Sequence, residues 1–282
     1  MSWRYRASKR PLLRALAAVV LVIVLVLGGV VIWLDQQFEE PGVPRVASIA
    51  GELGASSVLA VLAHPDDEIS VTGLLLRASS RDGATVRSIT ATRGENGTPL
   101  PQVSRIEDLG TVREAELLKN GYAIGLTAQD VWDYRDGGLA DADFDVYVER
   151  LMARMREWQP ELVVTFWPES GFSYHPDHRT AGRAATEAVR RLRAENPDTA
   201  PRAIAYILAP RRMMQRFGGE TGQLIVDSQP APTHVMPAEG VAKIRAWRIH
   251  ASQSDYVRHA YGFPAWFVHS LYDKEHYHVV EF

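Results

Sequence analysis

The chain is 282 residues long, 46% hydrophobic and 23% charged, an ordinary globular composition that excludes a largely disordered or fibrous protein. It has no cysteine, which excludes a disulfide framework, thiol catalysis and cysteine-ligated zinc, and leaves His, Asp and Glu as metal ligands. The net charge of −3 conceals an asymmetry. Arg4, Arg6, Lys9, Arg10 and Arg14 lie in the first 14 residues, which hold no acid, so 26 of the 31 basic side chains face all 34 acids over residues 15–282, a balance of −8. So acidic a body is a poor match for phosphate-neutralising surfaces, and no nucleic-acid partner is expected.

From Ala15 to Leu34 the chain reads ALAAVVLVIVLVLGGVVIWL, twenty residues without a charge. At about 1.5 Å per residue such a helix spans the roughly 30 Å hydrocarbon core of a bilayer. A cleaved signal peptide is the competing reading, but its apolar region usually runs about 7–15 residues and ends at a small-residue site. Leu34-Asp35-Gln36-Gln37-Phe38 offers no such site. Residues 15–34 are therefore expected to be an uncleaved transmembrane anchor. Residues 1–14 are expected to be a basic cytoplasmic segment, 35–56 a linker, and 57–282 an extracytoplasmic domain, because basic flanks stay inside.

Ser57–Ala63 (SVLAVLA) has the continuous apolar character of a buried parallel strand. A helix is predicted from about Ser70 to Ser80, a β-branched strand over Thr85–Thr92, and a helix over Val103–Asn120 before Gly121. Asp143–Trp158 reads as a helix stopped by Pro160, Glu161–Trp167 (ELVVTFW) as a strand, Arg179–Glu195 as a helix and Ala203–Leu208 as a strand. Beyond Leu224 only a helix near Ala238–Ser252 is legible. The alternation implies an α/β domain with a Rossmann-like, mostly parallel sheet and helices on both faces, preceded by one N-terminal transmembrane helix. In such sheets ligands bind outside the carboxyl ends of the strands.

Two polar clusters stand at those ends. Ala63-His64-Pro65-Asp66-Asp67-Glu68 follows the first strand, and His175-Pro176-Asp177-His178 follows the Glu161–Trp167 strand after a short loop. A capping role explains Asp and Pro before a helix, but imidazole is not a preferred cap, which leaves His64 and His178 unexplained. A hydrolytic metal site typically needs three ligands from His, Asp or Glu, an open position, and a nearby acid or base that is not a ligand. The two clusters together can supply all of these.

The first cluster resembles the AHPDDE signature of the PIG-L/LmbE-like zinc-dependent N-deacetylases, and His175 to Arg179 (HPDHR) resembles their second motif. Thr92-Arg93-Gly94-Glu95-Asn96-Gly97 is similar to their TxGExG stretch, Arg113-Glu114-Ala115 to the helix that follows, and His250-Ala251-Ser252-Gln253 to a late HxSQ element. The resemblance implies that His64, Asp67 and His178 bind Zn2+ or another divalent metal, and that Asp66 is the general base. It implies further that His175, oriented by Asp177, stabilises charge or donates a proton. It makes Arg93, Glu95, Arg113 and His250 substrate-binding candidates. Phe172-Ser173-Tyr174 departs from members that place a tyrosine two residues before the second motif, so packing is expected of Tyr174.

The expected function is a membrane-anchored hydrolase that removes the N-acetyl group of an N-acetylglucosamine-type sugar or glycoconjugate. The alternatives are a metal-dependent hydrolase of another amide or ester, and a non-catalytic glycan-binding module on the same fold. The aromatic tail, Tyr256, Tyr261, Phe263, Trp266, Phe267 and Tyr272, suits either sugar stacking or core packing.

Overall fold

The apolar runs of the body become strands because both of their faces are covered. A computed structural model describes residues 10–282; of the basic leader segment, Arg4, Arg6 and Lys9 lie outside the described residues. β1 (Ser57–Leu62), β2 (Thr85–Thr92), β3 (Ala128–Tyr134), β4 (Leu162–Phe166) and β5 (Ala203–Leu208) pair in parallel. β6 (His234–Pro237) and β7 (Lys274–Glu281) complete a seven-stranded sheet in the order β3-β2-β1-β4-β5-β7-β6, with β7 antiparallel to both of its neighbours.

The helices in chain order are α1 (Arg10–Asp35), α2 (Ile49–Leu53), α3 (Thr72–Ser80), α4 (Leu109–Ala123), α5 (Phe144–Trp158) and α6 (Pro176–Glu195). After β5 come α7 (Arg211–Phe217), α8 (Gly219–Ser228), α9 (Gly240–Ile249), α10 (Tyr256–Tyr261) and α11 (Ala265–Leu271). α5 starts where Asp143 accepts the Val146 N–H at 3.1 Å and stops at left-handed Gln159, as an Asp cap and a following proline require. α6 presents Ala181, Ala184, Ala185 and Ala188 to the sheet, all fully buried, and these small side chains let it lie close against β1 and β4.

Several sequence expectations change. β3, β6 and β7 are strands that the hydropathy pattern does not reveal, α7 and α8 are further helices, and α4 begins six residues later than expected. α6 begins earlier, with Pro176 in its first turn. Residues 35–56, expected as a linker, pack on the body. Phe38 stacks on Tyr272 at 4.8 Å, the His276 Nε2–H donates to the Phe38 carbonyl at 2.9 Å, and the Val46 N–H donates to the Val235 carbonyl at 2.9 Å.

α1 itself is long and apolar enough to cross a membrane. Its most apolar 18-residue window has a mean hydropathy of 3.2 and none of it is buried.

Candidate active site

The chain leaves β1 and reverses at Asp66, whose φ of +100° is unfavourable for a residue with a Cβ. As a result the two adjacent carboxylates end on different partners. Asp67 turns back, and its Oδ2 accepts the backbone N–H groups of Ala63 and His64 at 3.0 and 2.7 Å. Asp66 Oδ2 instead accepts from Arg113 Nη2 at 3.0 Å.

His178 lies in the first turn of α6, stacked on Phe166 at 4.2 Å, with Nδ1 3.0 Å from the Gly171 carbonyl and 2.9 Å from Ser173 Oγ. Donation of Nδ1–H to that carbonyl leaves the Nε2 lone pair pointing at Asp67 Oδ1, 3.1 Å away. His64 mirrors this arrangement. Its Nε2 lies 3.2 Å from both the Asp136 and Asp177 carboxylates, and its Nδ1 lies 3.1 Å from His178 Nε2. With Nδ1 of His178 and Nε2 of His64 donating outward, a His64 that has given up its second proton brings two nitrogen lone pairs and a carboxylate oxygen together. That donor set fits a divalent cation, and the carboxylates behind His64 sit where a ligating imidazole takes its orienting partners.

The field at this point favours positive charge. Burial would raise the Asp67 pKa, but the His178 and His64 imidazoles hold it well below the ordinary carboxylate range. Burial also opposes a charged His64, yet the Asp136 and Asp177 hydrogen bonds and the Asp67 charge push its pKa up to about 10 without a metal. Burial pushes the Asp66 carboxyl upward, with the Arg113 charge working against the shift.

His175 and Asp177 are both present but relate differently from expectation. Asp177 gives its backbone N–H, not its carboxylate, to His175 Nδ1 at 3.2 Å, so that His175 caps α6. The Asp177 carboxylate takes His64 Nε2 and the backbone N–H groups of Gly137 and Leu139, at 2.8 and 3.1 Å. Burial and the neighbouring imidazoles hold the His175 pKa below its ordinary value, and an accepting Nδ1 also opposes a second proton. His175 is therefore a neutral imidazole with Nε2–H available as a donor.

The four expected substrate contacts separate. Arg113 borders the cavity, but its guanidinium is buried and committed to Asp66 and to the Gly94 and Pro65 carbonyls at 2.9 and 2.5 Å. Gly94 permits this approach: at φ +66°, a Cβ there would come within 2.4 Å of Arg113 Nη1. Arg93 is half exposed and paired with Glu114 at 2.9 Å, away from the cavity. Glu95 accepts the Asp136 N–H at 2.9 Å and so braces the loop that carries that residue. His250 is fully buried, 2.5 Å from Glu68, whose carboxylate also accepts from Asn120 Nδ2 at 2.7 Å and from the Asp66 N–H at 3.0 Å. Through Glu68 it braces the turn that carries Asp66 from behind. Tyr174 lies under the Arg179 guanidinium, 4.8 Å from its ring, and packs as expected.

These groups form the floor of a cavity of about 490 Å³. Asn96 and Gly97 from the loop after β2 line one side, and Trp247, Tyr256, Tyr261, Val268 and Tyr272 from α9 to α11 line the other. The aromatic tail thus divides, with Tyr256, Tyr261 and Tyr272 walling the cavity and Phe263 and Trp266 exposed. Sequence reasoning missed Asp136, Glu68 as an organising group, and Lys243, which lines the cavity. Asp136 follows a strand end, as the other site residues do, and recognition of β3 would have exposed it. Glu68 stands in the first cluster, but its partners Asn120 and His250 come from distant segments, as does Glu275, the partner of Lys243.

The family model described as "PIG-L: GlcNAc-PI de-N-acetylase" matches residues 59–189. A Corynebacterium urealyticum protein named 1D-myo-inositol 2-acetamido-2-deoxy-alpha-D-glucopyranoside deacetylase is 35% identical over 183 residues, 54% of this chain and 53% of that protein. A Thermobifida fusca protein of the same name is 30% identical over 205 residues, 63% of this chain and 70% of that protein. The chain spans about half the length of several curated relatives of this name. Among solved structures, N,N'-diacetylchitobiose deacetylase from Pyrococcus horikoshii superposes with a TM-score of 0.63 at 20% identity, covering 83% of this chain and 86% of that one, a likeness of fold. With the motifs at the strand ends and this sequence similarity in hand, the chain belongs to the PIG-L family.

Proposed function

We propose that this chain is a metal-dependent amidohydrolase that removes the acetyl group from an N-acetylglucosamine-type sugar or glycoconjugate, held at a membrane by α1. The observation that carries this reading is the convergence of His64 Nδ1, Asp67 Oδ1 and His178 Nε2 beside a carboxylate, Asp66, that is bonded elsewhere. Support also comes from the curated relatives, whose names specify a 2-acetamido-2-deoxy sugar.

His64, Asp67 and His178 would hold the cation, zinc or another divalent metal, which supplies Lewis acidity toward the acetamide carbonyl and acidifies water. The protein's own groups do the rest. Asp66, ionised and turned away from the cation ligands, takes a proton from the attacking water, and its raised pKa makes it a stronger base than a solvated aspartate. Arg113 keeps it in place. His175, neutral and with Nε2–H free to donate, stabilises the negative charge that develops on the carbonyl oxygen. The proton held by Asp66 then passes to the departing sugar nitrogen, because an amide releases its amine only when that nitrogen is protonated. The apolar wall from α9 to α11 offers faces on which a sugar ring can stack.

Arg10 and Arg14 precede the apolar span, so the body is assigned to the extracytoplasmic side. A reporter that works only outside the cytoplasm, fused after Phe282, should be active, and activity of a cytoplasm-only reporter would reverse the assignment. For the chemistry, the full chain in detergent with zinc is incubated with a panel of N-acetylglucosamine conjugates and released acetate is measured. Metal-dependent acetate release supports the reading. Full metal loading without release from any conjugate, but with hydrolysis of other amides or esters, would replace it with the broader hydrolase.

A further inference from the structure

α1 joins the body at the edge of the sheet where the site opens. β7 runs antiparallel to β5 with His276 opposite Leu208, so the start of β7 lies beside the carboxyl end of β5. Lys274 at that start reaches Asp35, the last residue of α1, at 2.9 Å and Glu39 at 3.2 Å, and Phe38 is locked onto Tyr272 and His276. The body is therefore fastened at the foot of the apolar helix.

Two elements flank that foot. α7 reads RRMMQRF, three arginines and no acid on an otherwise acidic body. Phe217 meets Trp33 edge-on at 6.0 Å and Arg216 sits over the same indole at 5.2 Å. On another side α11 touches α1, and α10, α11 and their connecting turn expose Tyr261, Phe263 and Trp266 by 48, 53 and 59%. The same two helices line the cavity through Tyr256, Tyr261 and Val268. Isolated exposed apolar side chains are ordinary, but a group of aromatics beside an apolar helix exit is not. Aromatic rings settle at the headgroup level of a bilayer, and arginines there are attracted to anionic lipid.

We propose that the face formed by α7 and the α10–α11 turn is a second membrane contact, seated on anionic lipid beside α1, which holds the cavity mouth at the bilayer surface. This rests on the reading of α1 as a membrane anchor.

The absence of cysteine makes single-cysteine probes unique. In the full chain reconstituted into phosphatidylserine-containing nanodiscs, Phe263→Cys and Trp266→Cys carry an environment-sensitive fluorophore. Val24→Cys in α1 serves as the membrane reference and Glu157→Cys, at the amino edge of the sheet, as the aqueous one. The expected result is a blue shift and loss of emission to lipid-borne quenchers at positions 263 and 266, at an interfacial depth of about 5–10 Å, with neither at 157. The triple variant Arg211→Gln, Arg212→Gln, Arg216→Gln should weaken that loss. Equal loss with and without the arginines overturns their part in the contact. If Val24→Cys is quenched while 263 and 266 behave like 157, the second contact is overturned and the anchor stands. If Val24→Cys is not quenched either, the anchor reading fails and this inference fails with it.

Discussion

Replacing Asp66 by Asn tests the proposed chemistry most directly. The side chain keeps its size and can still accept from Arg113, whose guanidinium also retains the Gly94 and Pro65 carbonyls. At 3.0 Å and an effective dielectric of about 20, the attraction removed is about 5 kcal/mol, most of which is offset because a buried carboxylate no longer has to be desolvated. The net loss of stability should be about 1–3 kcal/mol, the range for a weakened hydrogen bond to a buried charge, so the fold survives. The metal should survive too, since Asp66 Oδ2 faces Arg113 while the ligands proposed for it are His64, Asp67 and His178. The turnover number should nevertheless fall about 10²–10⁴-fold, the contribution of a positioned general base. Acetate release, metal content by mass spectrometry and a melting curve on the same preparation separate these effects. Near-native turnover with metal retained would refute the assignment of Asp66. Loss of metal together with activity would show that Asp66 holds the cation.

The remaining predictions address the support around the site. Asp136→Asn should lower metal affinity about 10–100-fold through misorientation of His64, read by competition with a chelator; unchanged affinity would leave Asp177 as the sole orienting group. Gly94→Ala should push Arg113 off Asp66 and lower turnover with metal content unchanged, and activity equal to the parent would remove Arg113 from the mechanism. Burial pushes the His276 pKa down to about 4, and its Nδ1 is buried without a hydrogen-bond partner among the described residues, so protonation is opposed in the folded state. Between about pH 6.5 and 4 the unfolded chain binds the extra proton. The stability His276 contributes is thus present above about pH 6.5 and is lost toward pH 4, by up to about 3 kcal/mol, and His276→Gln should flatten denaturant midpoints across that window.

How much of this was legible in the sequence follows from how each residue is supported. Strands β1, β2, β4 and β5 could be read because they are buried on both faces, and apolar or β-branched runs are the only local solution to that burial. The residues of the two strand-end clusters were legible for a related reason. Each stands within a few positions of a strand end, and the carboxyl edge of a parallel sheet is where such groups converge. Tertiary structure decided the rest. β7 reads KEHYHVVE, which no hydropathy pattern marks as a buried strand. It is buried because Glu275 accepts Lys243 at 2.8 Å and the amides of Gly73 and Leu74 at 2.8 and 3.1 Å, while Lys274 takes Asp35 and Glu39. The family resemblance likewise implied that Asp177 would orient His175. In the fold the Asp177 carboxylate takes His64, which lies 113 positions away, and the backbone at 137 and 139. Local chemistry determined which residues this protein could use at its site. Which partner each of them received depended on segments remote in the chain, because a buried charge or lone pair is satisfied by whatever the fold brings against it.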